Sequence, residues 1–177
     1  MTCIAGLIHE GQVFIGGDSA GVAGFDLTVR ADAKVFKNGD FVFGFTSSFR
    51  MGQLLRHSFV PPKRYPDKDV MAYMVTDFVD ALRNCLKAGG FASKSNETEV
   101  GGCFLVGYAG RLFEIESDYQ VGESATGYAA VGCGSQVAHG ALFANSELPP
   151  VARITQALEA AEAHNAGVRG PFHIESI

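Results

Sequence analysis

The stretch Met1-Thr2-Cys3-Ile4-Ala5-Gly6-Leu7-Ile8, followed after a short turn by Val13-Phe14-Ile15-Gly16-Gly17-Asp18, decides how the rest of the chain is read. Cys3–Ile8 and Gln12–Gly17 are two apolar strands joined through His9-Glu10-Gly11, a hairpin by its length and its glycine. Thr2 stands immediately before the first strand and becomes the amino terminus once Met1 is trimmed. A terminal threonine carries its own base, because a free α-amine titrates at about 7.7–8.0. That amine takes the proton from its own hydroxyl, directly or through one water, and activates a weak nucleophile. Judged alone, Thr2 reads as an ordinary second residue; the chain that follows decides otherwise.

Asp18-Ser19-Ala20-Gly21 ends the second strand with residues that favour turns. From Val22 to Val35 the pattern is mixed, with Leu27-Thr28-Val29 and Lys34-Val35-Phe36 as short extended pieces. Asn38-Gly39 is a turn signal that leads into the strand Phe41–Phe45. At Thr46-Ser47-Ser48 the hydrophobic period changes to that of a short helix carrying Phe49, Leu54, Leu55 and Phe59, with Ser47 or Ser48 as its N-cap. Pro61-Pro62 stops this helix, and Pro66-Asp67 is expected to open the next. The face of that second helix runs Val70, Met71, Met74, Val75, Phe78, Val79, Leu82 and Leu86, and Gly89-Gly90 closes it.

Phe91–Glu99 reads as a polar surface loop. Cys103–Tyr108 and Arg111–Glu116 form a second hairpin over Ala109-Gly110, and Asp118–Thr126 reads as another loop. Tyr128–Val131 is a strand running into Gly132-Cys133-Gly134-Ser135. Helices Gln136–Asn145 and Pro150–Asn165 follow, then a short closing strand in Phe172–Ile177. Strands, two helices, strands, two helices is not the βαβ alternation of a parallel sheet. Two antiparallel sheets stacked face to face, with a helix pair on each outer side, bury every apolar face just named. The predicted fold class is therefore α+β, a four-layer αββα sandwich made by one domain over residues 1–177.

Composition narrows the function. Hydrophobic residues make up 47% of the chain and charged ones 19%, which excludes a disordered polymer. A net charge of -5 without a basic cluster argues against nucleic acid or an anionic membrane as partner. Cys3, Cys85, Cys103 and Cys133 lie far apart and read as reduced thiols of a cytoplasmic protein. No leader and no apolar run near eighteen residues is present, so neither secretion nor membrane spanning is indicated. His9, His57, His139, His164 and His173 show no metal spacing. Gly132-x-Gly134 lacks the third glycine of a dinucleotide loop, Val137 standing in its place.

Three polar residues then stand out by spacing: Thr2, Asp18 sixteen positions on, and Lys34 thirty-two positions on. Asp18 follows an apolar strand and Lys34 precedes Val35-Phe36, which places both at strand ends. A lysine beside Thr2 favours deprotonation of its hydroxyl, and Asp18 compensates the lysine's charge. Without Thr2, both would read as surface charges.

Thr2, Gly17-Asp18-Ser19, the Lys34-Val35 step, Gly44-Phe45 before a helix and Gly132-Cys133-Gly134 before another together resemble the proteasome β-type subunits, and most of all the bacterial HslV-like peptidases. The resemblance runs from Thr2 to about Asn165. It implies an N-terminal nucleophile hydrolase in which Thr2 supplies both nucleophile and base, while Lys34, held by Asp18, lowers the hydroxyl pKa. The family's oxyanion donor maps to the backbone of Ser47, with Thr46 or Ser48 as alternatives. The family has Gly-Gly where this chain has Ser47-Ser48, and Gly-Ser-Gly where it has Gly132-Cys133-Gly134. Cys133 thus takes the place of a serine that touches the terminal amine, with Ser135 as the alternative partner. No acidic counterpart stands near Asn165 for the carboxylate that the family places after its last long helix. Gly21, Phe36 and Phe45 are expected to line the pocket for the substrate side chain, two phenylalanines favouring a modest apolar group.

The resemblance further implies a homo-oligomer of six- or seven-membered rings, stacked in pairs, with Thr2 facing a lumen that admits unfolded polypeptide. It implies an AAA+ unfoldase as partner, ATP being that partner's cofactor and this chain having none. Two other readings compete: an amidohydrolase of the same chemistry acting on a small amide, and a ring subunit that has kept the fold and lost turnover.

Overall fold

The computed structural model describes residues 1–95 and 98–177 of the 177-residue chain. In chain order the first strands are β1 (Cys3–His9), β2 (Gln12–Gly17), β3 (Ala20–Ala23), β4 (Asp26–Val29), β5 (Val35–Asn38) and β6 (Phe41–Phe45). Then come helix α1 (Phe49–His57) and a long helix made of α2 (Val70–Tyr73), a π-helical turn (Met74–Phe78) and α3 (Val79–Ala88). Strands β7 (Ser93–Ser95), β8 (Thr98–Val100), β9 (Phe104–Tyr108), β10 (Arg111–Ile115), β11 (Val121–Glu123) and β12 (Tyr128–Gly132) follow. Helices α4 (Ser135–Ala144) and α5 (Pro150–His164) and strand β13 (His173–Ser176) complete the chain.

Two antiparallel sheets carry the fold, ordered β12-β1-β2-β13 and β11-β10-β9-β6-β5. Alternation along each strand sorts the side chains into three apolar layers. On β1, Cys3, Ala5 and Leu7 pack beneath Ile154, Ala157, Leu158 and Ala161 of α5 and Ala138 and Leu142 of α4. Ile4, from the same strand's other face, joins Val13, Ile15, Val35, Val42, Leu105 and Leu112 between the sheets. On β6, Phe41, Phe43 and Phe45 point outward to Met51, Leu54 and Leu55 of α1 and Leu82 and Leu86 of α3. The result is the expected α+β sandwich. The sheets approach closely at Gly44, where a Cβ would lie 2.5 Å from Ile4 Cγ2, so glycine is required there.

The structure corrects four local expectations. The second helix opens at Val70 rather than at Pro66-Asp67, because Asp69 Oδ1 accepts the Ala72 N–H at 2.9 Å and caps it. Its middle turn is π-helical. Buried Met74, Phe78, Leu82 and Leu86 recur every four residues, a spacing that drifts about 40° per step round an α-helix, and one wider turn takes up that drift. Phe91–Glu99, read as a loop, contains the hairpin β7–β8; the part of that reading at Asn96 and Glu97 lies outside the described residues. Asp118–Thr126 contains β11, which pairs with β10. Of the two candidate caps for α1, Ser48 is the N-cap, its hydroxyl accepting the Arg50 N–H. Among the described residues no helix is long and apolar enough to cross a membrane.

Candidate active site

The site lies where the ends of β1, β2, β5 and β6 converge. Cys3 pairs with Gly132 across the β1–β12 ladder, and the Gly134 N–H donates to the Thr2 carbonyl at 3.3 Å, so Thr2 sits against the Gly132–Gly134 turn. Gly132 has φ +97, and a Cβ there would lie 2.3 Å from the Thr2 carbonyl oxygen, so no other residue fits. Asp18 follows β2 and is anchored by three backbone N–H donors: Cys3 at 3.0 Å, Ala20 at 2.9 Å and Arg169 at 3.3 Å. Lys34 precedes β5 and reaches inward, its Nζ donating to Asp18 Oδ1 at 2.8 Å and to Thr2 Oγ1 at 3.0 Å.

Thr2 is 5% exposed, Asp18 0% and Lys34 1%, so the three are not surface charges. Burial pulls the Lys34 ammonium below its ordinary pKa, and Asp18 opposes that effect. An ammonium at hydrogen-bond distance from a hydroxyl oxygen stabilises negative charge developing on it. With Met1 in place, Thr2 Oγ1 donates to the Met1 carbonyl and the Thr2 nitrogen is a peptide amide donating to Cys133 Sγ at 3.2 Å. Removing Met1 leaves a primary amine at that position, beside Cys133.

The loop before α1 forms the opposite wall. Ser47 is left-handed at φ +62, a conformation that costs a residue with a Cβ about 1–2 kcal/mol. Its hydroxyl accepts the Cys103 N–H at 3.0 Å and lies 3.2 Å from Thr46 Oγ1, which itself donates to the Cys103 carbonyl at 2.8 Å. These bonds hold the loop at the ends of the neighbouring strands β6 and β9. Among the described residues no acceptor takes the Ser47 N–H. A cavity lined by Met1, Thr2, Val22, Lys34, Phe45, Thr46, Ser47, Ser48 and Phe49 opens between this loop and Thr2.

The structure thus brings Thr2, Asp18, Lys34, Ser47 and Cys133 together, and corrects three other expectations. Ser135 is the first residue of α4 and makes no hydrogen bond to Thr2 among the described residues; the amide's partner is Cys133. Gly21 lies under the Arg30 side chain rather than at the cavity wall, since a Cβ there would lie 2.8 Å from Arg30 Cδ. Phe36 faces the helix layer, stacked on Phe43 at 5.4 Å, while Phe45, at the strand end, does line the cavity. Asn165 was missed, although it holds Cys133 from the far side: its Nδ2 donates to the Cys133 carbonyl at 2.9 Å and its Oδ1 lies 3.2 Å from the thiol. A search for an acid passes over it; the signal was a side-chain amide directly after a helix.

Among the described residues one group of metal-type donors comes together, Cys103, Glu114 and Glu116. Burial and Glu116 push Glu114 up to about 7, and burial pushes the Cys103 thiol up to about 12.

No protein-family profile matches the sequence, and no curated protein matches it by sequence. Solved structures do match. BPH of Thiobacillus denitrificans, solved in complex with epoxomicin, has a TM-score of 0.83 at 20% identity over 99% of this chain and 98% of that one. HslV of Trypanosoma brucei has a TM-score of 0.69 at 17% identity, over 99% and 98%. Anbu, the ancestral β-subunit from Yersinia bercovieri, has a TM-score of 0.67 at 15% identity, over 99% and 81%. The chain has the HslV-like, proteasome β-type fold.

Proposed function

We propose that this chain is a threonine-type endopeptidase subunit of the N-terminal nucleophile class, cleaving unfolded polypeptides within a homo-oligomeric, proteasome-like ring. The observation that carries the reading is the buried Lys34 ammonium donating at once to Thr2 Oγ1 and Asp18 Oδ1. The fold shared with HslV supports it, as does the epoxomicin complex of the Thiobacillus protein.

Once Met1 is removed, the Thr2 amine takes the Oγ1 proton and Oγ1 attacks the scissile carbonyl carbon. The protonated amine then gives that proton to the leaving nitrogen, so one peptide product departs and the other remains as an ester on Thr2. Water, deprotonated by the same amine, cleaves the ester. Lys34 stabilises charge on Oγ1 throughout, and the Ser47 N–H serves the oxyanion, where a well-placed donor contributes about 3–4 kcal/mol. Cys133, held by Asn165, orients the amine. Ring closure in sixes or sevens uses heterologous contacts between copies, and an AAA+ unfoldase consuming ATP delivers the substrate in the cytoplasm.

A fluorogenic peptide assay of wild type against Thr2→Ala tests this. Loss of at least about a thousandfold in kcat/KM is expected for a missing nucleophile, and equal rates would overturn the reading. One observation favours a silent subunit as the second reading. While Met1 remains, its carbonyl accepts the Thr2 hydroxyl and no amine base exists.

A further inference from the structure

A second cavity adjoins the one at Thr2, lined by Asp32, Ala33, Phe45, Phe49, Gly52, Gln53, Arg56 and His57. Phe45 and Phe49 are common to both cavities. Of the consecutive residues Ala33 and Lys34, the first lines the second cavity and the other lines the first. The two spaces therefore lie within one side chain's reach, since neighbouring Cα atoms are about 3.8 Å apart. Phe45 rests on Gly52, where a Cβ would lie 2.2 Å from the ring, and this keeps the recess open above α1.

The charges in the recess are not balanced. Both Asp32 oxygens are taken by Arg30, at 2.6 and 2.7 Å, and Arg30 in turn lies over the Phe49 ring at 3.9 Å. Arg56 has no such partner. Its Nη2 donates to the carbonyls of Ala33 at 2.7 Å and Val35 at 3.1 Å, its guanidinium lies 4.6 Å from the Phe36 ring centroid, and no carboxylate bonds to it among the described residues. Burial lowers its pKa, with Asp32 and Glu175 opposing from farther off, and the side chain is half-buried in the recess. Nε and Nη1 remain without an internal acceptor among the described residues.

We propose that this recess receives the side chain of the substrate residue on the acyl side of the scissile bond, and that Arg56 selects an aspartate or glutamate there. The inference rests on the peptidase reading above and replaces the apolar preference expected from Phe36 and Phe45. A carboxylate entering the recess meets the Arg56 guanidinium and one carboxylate already engaged by Arg30. A lysine or arginine side chain meets Arg56 head-on and finds the Asp32 charge already paired with Arg30. An aliphatic side chain fits between the phenylalanines but displaces water from Arg56 without offering it an acceptor, which disfavours it.

The test uses the purified, Met1-trimmed assembly and three fluorogenic peptides that differ only at the cleaved residue: Glu, Leu or Lys. The Glu peptide is expected to have the highest kcat/KM. In Arg56→Gln the Glu-to-Leu ratio of kcat/KM is expected to fall about 10- to 100-fold, the range for a lost charge-assisted hydrogen bond. Arg56→Lys, which keeps a cation and guards against loss of folding, is expected to retain an intermediate ratio. A wild-type preference for Leu or Lys, or an unchanged ratio in Arg56→Gln, would overturn the inference while leaving the peptidase reading intact. Failure to cleave any of the three, with Thr2 also inert to a peptide epoxyketone, would remove the peptidase reading and this inference with it.

Discussion

Asn165 holds Cys133 at both ends, its Nδ2 on the backbone carbonyl at 2.9 Å and its Oδ1 against the thiol at 3.2 Å. The same Oδ1 accepts the Gly167 N–H at 2.9 Å, so one side chain ties the turn after β12 to the segment after α5. Cys133 in turn faces the Thr2 nitrogen, so in the proposed peptidase Asn165 would be a positioning residue for the terminal amine.

Replacing Cys133 by serine substitutes a full hydrogen-bonding hydroxyl for a weak thiol partner. Peptidase kcat/KM of Cys133→Ser is expected to rise, by up to about fivefold for a gain near 1 kcal/mol. Cys133→Ala and Asn165→Ala are expected to lower it and to shift the limb of the pH–rate profile that reports the amine. A Cys133→Ser variant slower than Cys133→Ala would refute this role.

The Asp18–Lys34 pair predicts a stability effect separate from catalysis. Asp18→Asn removes the acceptor of a buried ammonium that is 1% exposed. Deleting one partner of a buried pair costs about 3–5 kcal/mol. Urea unfolding should show a loss of that order, and Lys34→Met/Asp18→Asn together should recover part of it. A change below about 1 kcal/mol, the range of exposed pairs, would mean that the pair is hydrated.

Glu114 gives a pH signature. Burial and Glu116 raise it to about 7 from an ordinary 4.5, so the folded state holds a proton that the unfolded state has lost. Its contribution to stability is complete below about 4.5 and disappears as pH rises through about 7. Glu114→Gln should therefore flatten the fall in unfolding free energy between pH 5 and 8, by about 1–2 kcal/mol once solvent screening of a half-buried group is allowed for. Parallel pH curves for the two proteins would contradict the assignment.

Much of this architecture is legible in the sequence because it is written in apolar periodicity. The β1–β2 and β9–β10 hairpins and the α5 face are continuous patterns with turn residues at fixed places. Thr2, Asp18 and Lys34 are legible because each borders such a strand. The strand β11 has no fully buried residue, so no alternation marks it, and the π turn depends on packing against the second sheet. Phe36 was misassigned because its register against Phe43, which turns it into the helix layer, is set by the β5–β6 ladder and not by its neighbours in sequence. Arg56 gives no sign in the sequence. Its meaning lies in having no bonded carboxylate partner among the described residues, a property of the folded chain alone.

The central claim is that Thr2 becomes both nucleophile and base, and intact mass before and after a peptide epoxyketone tests it most directly. That reagent forms its ring adduct only with a hydroxyl and a free amine on one residue. The account predicts loss of the Met1 mass and one adduct per chain, abolished in Thr2→Ala. A protein that keeps Met1, or that loses it and gains no adduct, would contradict the account.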